Sequence, residues 1–293
     1  MKKVIHPGRD EDMIVLASEI VYGQADAWCN AAYRPLRMSM MRPRRWTERD
    51  NYKELPVLIY LCGGGWAKVD RNVWMPELVY YAKHGFCVVS IEYSTSNVAS
   101  FPTPIEEIKL AIRYLRANAK KFGIIPDKIA VMGESAGGYF ANMIGVTGET
   151  REFDVGDYLD QSSAVQAAIP YYGTTGLVDM NPNPSAAVED EFGFIPPNLQ
   201  ALGKDPEKHP EIVKAADART YITENTPPFL IMHGDEDNMV NIINSECMYE
   251  CLQEHGVDAD FYIFEGAEHG DIPFIQTSVK EIILDFLKKA LKV

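Results

Sequence analysis

The chain is poor in cysteine, has no long apolar run and carries no excess of positive charge. Its five cysteines (Cys29, Cys62, Cys87, Cys247 and Cys251) are odd in number, and no two form a CxxC pair. Cys247 and Cys251 stand four apart in a helical pattern without a histidine cluster nearby. Neither a disulfide framework nor a zinc site is expected from such spacing. No stretch approaches the roughly 18 apolar residues that span a bilayer. The first residues, MKKVIHPGRDEDM, hold two lysines with no apolar stretch behind them, unlike a signal peptide. A reduced, cytoplasmic protein is the expectation. The formal net charge of −14 disfavours nucleic acid and anionic membrane surfaces as partners. There are no repeats and no low-complexity tract, and no lysine followed by serine or threonine completes a phosphate loop after a glycine run.

What remains is an ordinary globular mixture, 46% hydrophobic and 24% charged over 293 residues. Residues 1–293 are expected to form a single domain, because α/β folds often use this length as one unit. Residues 13–22 and 34–41 alternate apolar positions, such as Leu36, Met38 and Met40, and predict antiparallel edge strands. From Pro56 the texture changes to continuous apolar runs of the kind buried on both faces: PVLIYLCGGG, FCVVSIEY, KIAVMG, AVQAAIPYYG, PFLIMHG and ADFYIFEG. Between them lie helical patterns. Residues 104–122 open with proline and two glutamates, end in basic residues, and place Ile105, Ile108, Ile112 and Leu115 on one face. Residues 275–291 form the last amphipathic helix. The alternation predicts an α/β fold with a mostly parallel central sheet and helices on both faces. Residues 177–227, rich in proline and acid, interrupt it and are read as a small cap or lid over the carboxyl ends of the strands, the alternative being a surface excursion.

The strongest local signal is Gly133-Glu134-Ser135-Ala136-Gly137, directly after KIAVMG and before a helical run. This G-x-S-x-G pattern in its strand–turn–helix setting is a nucleophile elbow, whose glycines let a tight turn crowd its neighbours while the serine stays exposed. Serine needs a base within hydrogen-bond reach, and the motif orders its partners as Ser, then Asp or Glu, then His. Asp235, Glu236 and Asp237 follow the strand PFLIMHG, and His269 lies in the loop Gly266-Ala267-Glu268-His269-Gly270 after ADFYIFEG. Both loops leave the carboxyl ends of strands, the edge where the elbow also lies. His269 is therefore the expected base and Asp237 its orienting acid, with Asp235 the alternative as a loop-shaping side chain. His233 is read as a structural turn residue and His255 as a helix-end residue, while His6, His84 and His209 have no supporting context. The run Leu61-Cys62-Gly63-Gly64-Gly65-Trp66 offers backbone N–H groups without side-chain interference, so Gly64 and Gly65, with the N–H of Ala136, are the expected oxyanion donors.

From about residue 30 onward the chain resembles the hormone-sensitive-lipase-like carboxylesterases of the α/β-hydrolase superfamily. The likeness is carried in order by GGGW, GESAGG, HGDED and GAEHG, and the nearest branch is the bacterial carbohydrate (acetyl or feruloyl) esterases. Two departures stand out: Cys62 replaces the histidine of the family's HGGG, and Tyr93-Ser94-Thr95-Ser96-Asn97 lacks the usual arginine after tyrosine. The resemblance implies a small-molecule or oligosaccharide ester as substrate, with no cofactor and no metal, and it leaves a homo-oligomer open. Acetylated sugars or other short-chain esters rank first, and hydroxycinnamoyl esters second. An amidase or peptidase of the same fold and a non-catalytic binding relative are the competing readings. Candidate pocket walls are Trp66, Trp74, Phe101, Tyr139, Tyr171 and Tyr172, aromatic side chains that equally well form core.

Overall fold

The computed structural model describes residues 1–8, 12–27, 31–44, 53–178 and 196–293. Eight strands form one sheet in the order β1-β2-β4-β3-β5-β6-β7-β8. β1 (Ile14–Ala27) and β2 (Ala32–Pro43) are antiparallel to each other, and β2 is antiparallel to β4 (Cys87–Ile91). β3 (Leu55–Leu61), β4, β5 (Ile124–Glu134), β6 (Ala167–Tyr171), β7 (Phe229–Gly234) and β8 (Ala259–Phe264) run parallel. The mostly parallel sheet and the antiparallel amino-terminal edge expected from the sequence are both present.

Alternation along β3 builds the two halves of the core. Val57, Ile59 and Leu61 join one cluster, and Leu58 and Tyr60 join the other across the sheet. A strand with period two that is apolar at every position must be covered on both faces. On the first face α2 (Thr103–Ala117), α4 (Ala136–Val146) and α7 (Ile243–Glu254) supply Ile105, Ile108, Ile112, Tyr139, Met248 and Leu252. On the second, α1 (Met75–Lys83) and α8 (Thr277–Leu291) supply Leu78, Tyr81, Ile283 and Leu287. The apolar stripe read over 104–122 lies wholly inside, yet the helix breaks at Asn118 and resumes as the short α3 (Ala119–Phe122), which Gly123 ends in a left-handed conformation. The last helix begins at Thr277, after a 3-10 turn over Ile272–Ile275.

Of the segment 177–227, residues 179–195 lie outside the described residues. The remainder contains α5 (Pro197–Leu202), α6 (Pro210–Ala215) and a 3-10 turn at Ala218–Tyr221, and Leu202, Ala216 and Ala218 are buried against the α2/α4 face. Cys29 also lies outside the described residues. No helix among the described residues is long and apolar enough to cross a membrane.

Candidate active site

β5 delivers Ser135 at its carboxyl end, where the chain turns directly into α4. Ser135 takes φ 55° and ψ −120°, a backbone state that costs a non-glycine residue of order 1–3 kcal/mol. Neighbouring structure holds it there. The Ser135 N–H donates to the Tyr171 carbonyl at 3.0 Å, and its own carbonyl accepts from the Tyr139 N–H at 3.1 Å. The glycines of the elbow are required by close approach, since a Cβ on Gly133 would overlap the Gly137 carbonyl and one on Gly137 would overlap the Leu61 carbonyl. The elbow is thus pressed against the end of β3, from which the glycine run departs.

Two further loops converge on the serine hydroxyl. His269 Nε2 lies 2.9 Å from Ser135 Oγ, and His269 Nδ1 lies 2.7 Å from Asp237 Oδ2. The loops carrying these residues are joined: Asp235 Oδ1 accepts the Gly266 N–H at 2.6 Å, and the Glu236 N–H donates to the Ala267 carbonyl at 3.2 Å. Asp235 therefore shapes the histidine loop, and Asp237 faces the imidazole. The Asp237 side chain is fully buried, and Oδ1 accepts the N–H groups of Met239 and Val240 at 2.9 and 2.8 Å. Burial alone would raise its pKa. Hydrogen bonds from His233 and His269, the charge of His269 and the Val240 N–H outweigh burial and hold the carboxyl well below the usual carboxylate range.

His233 does more than end a strand. It is completely buried, with Nε2 at 2.8 Å from the Val240 carbonyl and 3.2 Å from Asp237 Oδ2, and Nδ1 at 2.7 Å from Ser245 Oγ. Nε2 faces two acceptors, so the ring proton belongs there and Nδ1 accepts from the serine. Sequence reasoning missed this contact with Asp237. The available signal was a histidine four residues before the chosen acid, at the end of a buried strand.

At the glycine run Gly64 and Gly65 adopt φ 134° and 58°, and the Gly64 carbonyl accepts from Ala67 and Lys68 at 3.1 Å each. Among the described residues no protein group accepts from the N–H of Gly64, Gly65 or Ala136, which leaves these donors open to a ligand. The run is anchored by a residue that sequence reasoning passed over: the Glu134 carboxylate accepts the Gly63 N–H and, at 3.2 Å, the Trp74 indole N–H. Burial pushes the Glu134 pKa up against the opposing pull of those two donors. Cys62 is 5% exposed, and burial with Glu134 alongside pushes its thiol up to about 12. Its carbonyl accepts from Tyr93 OH, which helps fix the loop where the family's histidine is absent.

The candidate wall residues divide between the two faces of the sheet. Trp66, Phe101 and Tyr139 line a narrow cavity of about 10 Å³ beside the glycine run, with Tyr139 fully buried and its hydroxyl donating to the Ala216 carbonyl at 3.0 Å. Trp74, Tyr171 and Tyr172 line a separate one of about 40 Å³ next to Glu134. Tyr172 also backs the imidazole, its ring centre 4.7 Å from that of His269 in an edge-on arrangement.

Similarity to known proteins agrees with this architecture. The chain is 30% identical over 242 residues to esterase LipQ of Mycobacterium tuberculosis, a match covering 80% of this chain and 55% of that protein. It is 25% identical over 218 residues to endo-1,4-beta-xylanase B of Butyrivibrio fibrisolvens, covering 73% of this chain and 32% of the relative. The chain thus spans about half the length of LipQ, and less of the xylanase. A truncated form of a carbohydrate esterase from gut microbiota superposes with a TM-score of 0.79 at 25% identity, covering 98% of this chain and 99% of the other. A family profile described as BD-FAE matches residues 46–252. With the eight-stranded sheet and the likeness to named esterases, that match places the chain in the BD-FAE family, within the esterase branch of the α/β-hydrolases.

Proposed function

We propose that this protein is a serine carboxylesterase acting through an acyl-enzyme, with Ser135 as nucleophile, His269 as general base and Asp237 as the residue that orients His269. The reading rests on one observation, the continuous hydrogen-bonded line from Ser135 Oγ through the His269 ring to a buried carboxylate. His269 takes the hydroxyl proton as Ser135 attacks the ester carbonyl. The oxyanion is held by the N–H groups of Gly64, Gly65 and Ala136. The alcohol leaves with the proton from His269, and water then releases the acid by the same steps in reverse. Asp237 stays ionised throughout and stabilises the imidazolium, for which its depressed pKa suits it.

The substrate class is a short-chain acyl ester, with carbohydrate-linked acetyl esters first. Neither of the two small cavities, of about 10 and 40 Å³, is lined by Ser135 or His269, so the acyl preference rests on the resemblance to carbohydrate esterases. The likeness to a carbohydrate esterase and to a xylanase supports a sugar on the alcohol side. The described part of the segment 177–227, residues 177–178 and 196–227, is the candidate cap.

Intact-mass analysis after incubation with diethyl p-nitrophenyl phosphate tests the nucleophile, because the reagent phosphorylates an activated serine hydroxyl. One diethylphosphoryl group on a peptide containing Ser135 is the expected outcome, and an unlabelled folded protein would refute the reading. Rates on p-nitrophenyl acetate, butyrate, octanoate and ferulate then rank the acyl groups, with acetate expected fastest.

A further inference from the structure

The chain leaving β6 carries a strained residue against the imidazole. Tyr172 takes φ 33°, in the left-handed region that favours glycine, and a tyrosine persists there only when its surroundings impose it. They do so from both sides. The Tyr172 N–H donates to the Met232 carbonyl at 2.8 Å, and the preceding carbonyl, of Tyr171, accepts from the Ser135 N–H at 3.0 Å. Gly173 lies so close to α4 that a Cβ on it would overlap the backbone of Gly138. Residues 171–173 are thus fixed between the elbow and the end of β7. The Tyr172 ring, almost wholly buried, meets His269 edge-on at 4.7 Å and 64°, His233 at 6.4 Å and 75°, and Phe274 at 4.8 Å. One side chain therefore packs against both histidines that contact Asp237.

The value of this contact changes through the proposed reaction. Before attack, Ser135 Oγ and Asp237 Oδ2 hold the imidazole from its two nitrogens. Once Ser135 is acylated, its hydroxyl proton has left with the alcohol, and Oγ is an ester oxygen with nothing to donate. The ring loses one of its two hydrogen bonds just when Nε2 must accept a proton from water. The bond to Asp237 remains, yet a single bond lets the ring tilt about it. An aromatic neighbour at this spacing limits that tilt.

We propose that Tyr172 is a positioning residue for the second half of the reaction, holding His269 over the acylated Ser135 while water attacks; the role rests on the esterase reading above. In that step an O–H bond of water breaks as its oxygen bonds the acyl carbon, and the proton goes to Nε2. The bond from the acyl carbon to Oγ then breaks, and Nε2 returns the proton to Oγ. The acid is freed and the first hydrogen bond is restored. Acylation depends less on Tyr172, because the Ser135 hydroxyl still anchors Nε2 when that step begins.

Pre-steady-state hydrolysis of p-nitrophenyl acetate separates the two steps: release of p-nitrophenol reads acylation, and mass analysis of acid-quenched samples reads decay of the acetyl-enzyme. Tyr172→Leu is expected to prolong the acetyl-enzyme about tenfold while acylation, and with it kcat/KM, stays within about threefold. Tyr172→Phe keeps the ring and should return both rates to within about threefold of wild type. Tyr172→Met fills the space without a ring and stands in should Tyr172→Leu melt early, with the same loss expected. A merely structural role would lower the amount of active protein and leave the lifetime of the acetyl-enzyme unchanged. That result, or acylation and deacylation slowed alike, overturns the role of Tyr172 and leaves the esterase reading standing. No p-nitrophenol from folded wild type removes the esterase reading and this role with it.

Discussion

Glu134, the residue before the serine, accepts the backbone N–H of Gly63, the residue before the proposed oxyanion glycines. One carboxylate thereby couples the turn that presents Ser135, the proposed nucleophile, to the loop proposed to face the reacting carbonyl, and it also accepts from the Trp74 indole N–H. The two halves of the site come from different strands, β5 and β3, and their relative position depends on this bond as well as on the close contact of their backbones.

Glu134→Gln keeps an acceptor for both donors and should leave kcat/KM for p-nitrophenyl acetate within about threefold, whereas Glu134→Ala releases Gly63 and should lower kcat by about 10- to 100-fold. The pH dependence of stability has a definite sign. Burial raises the folded pKa of Glu134 above the unfolded one, so its contribution falls as pH rises through the folded value. The glutamine variant lacks that loss, and its melting temperature should gain on wild type between pH 4 and pH 8. A gain by wild type over that range would contradict the assignment.

Asp237 has the opposite sign. Its folded pKa lies below the unfolded value near 3.9, so the stability it contributes is present above that pH and is lost as pH falls toward the folded pKa. Asp237→Asn should flatten the acid side of the melting-temperature profile below about pH 4 and reduce kcat by roughly 10³- to 10⁴-fold. An unchanged kcat would remove Asp237 from the mechanism.

His233→Phe removes the contact to Asp237 Oδ2 and leaves Ser245 Oγ without its ring partner. A fall in kcat of about fivefold or more, together with a stability loss of about 1–3 kcal/mol, is expected from a buried hydrogen-bonding group lost. If stability falls while kcat is untouched, His233 serves the fold alone.

Cys62 stands where the family's histidine is expected, buried and with its thiol pushed up to about 12. A thiol kept protonated reacts slowly. Iodoacetamide at pH 8 should therefore spare Cys62 in peptide mapping of the native protein, and hydrolysis should persist; alkylation of Cys62 within minutes would contradict this placement.

Much of this arrangement was legible in the residues themselves. The elbow could be read because G-x-S-x-G is a local pattern between a buried strand and a helix, and the acid and histidine loops because each follows an apolar strand. Ser135, Asp237 and His269, chosen by chain order, lie within hydrogen-bond distance in sequence along one line. What could not be read depends on contacts across the fold. Glu134 meets Gly63 across 71 positions, and no local pattern announces that pairing. The aromatic wall residues were grouped by type, but the two sides of the sheet send Trp66 and Tyr139 to one cavity and Trp74 and Tyr172 to another. Asn118, which breaks the helix read over 104–122, looks unexceptional within an otherwise unbroken helical stripe.

The most direct measurement compares steady-state hydrolysis of p-nitrophenyl acetate by wild type and by Ser135→Ala at matched melting temperature. Wild type should turn over the ester, and the variant should retain less than about one part in 10³ of its kcat. Comparable hydrolysis by a folded Ser135→Ala protein, or none by wild type, would contradict the account.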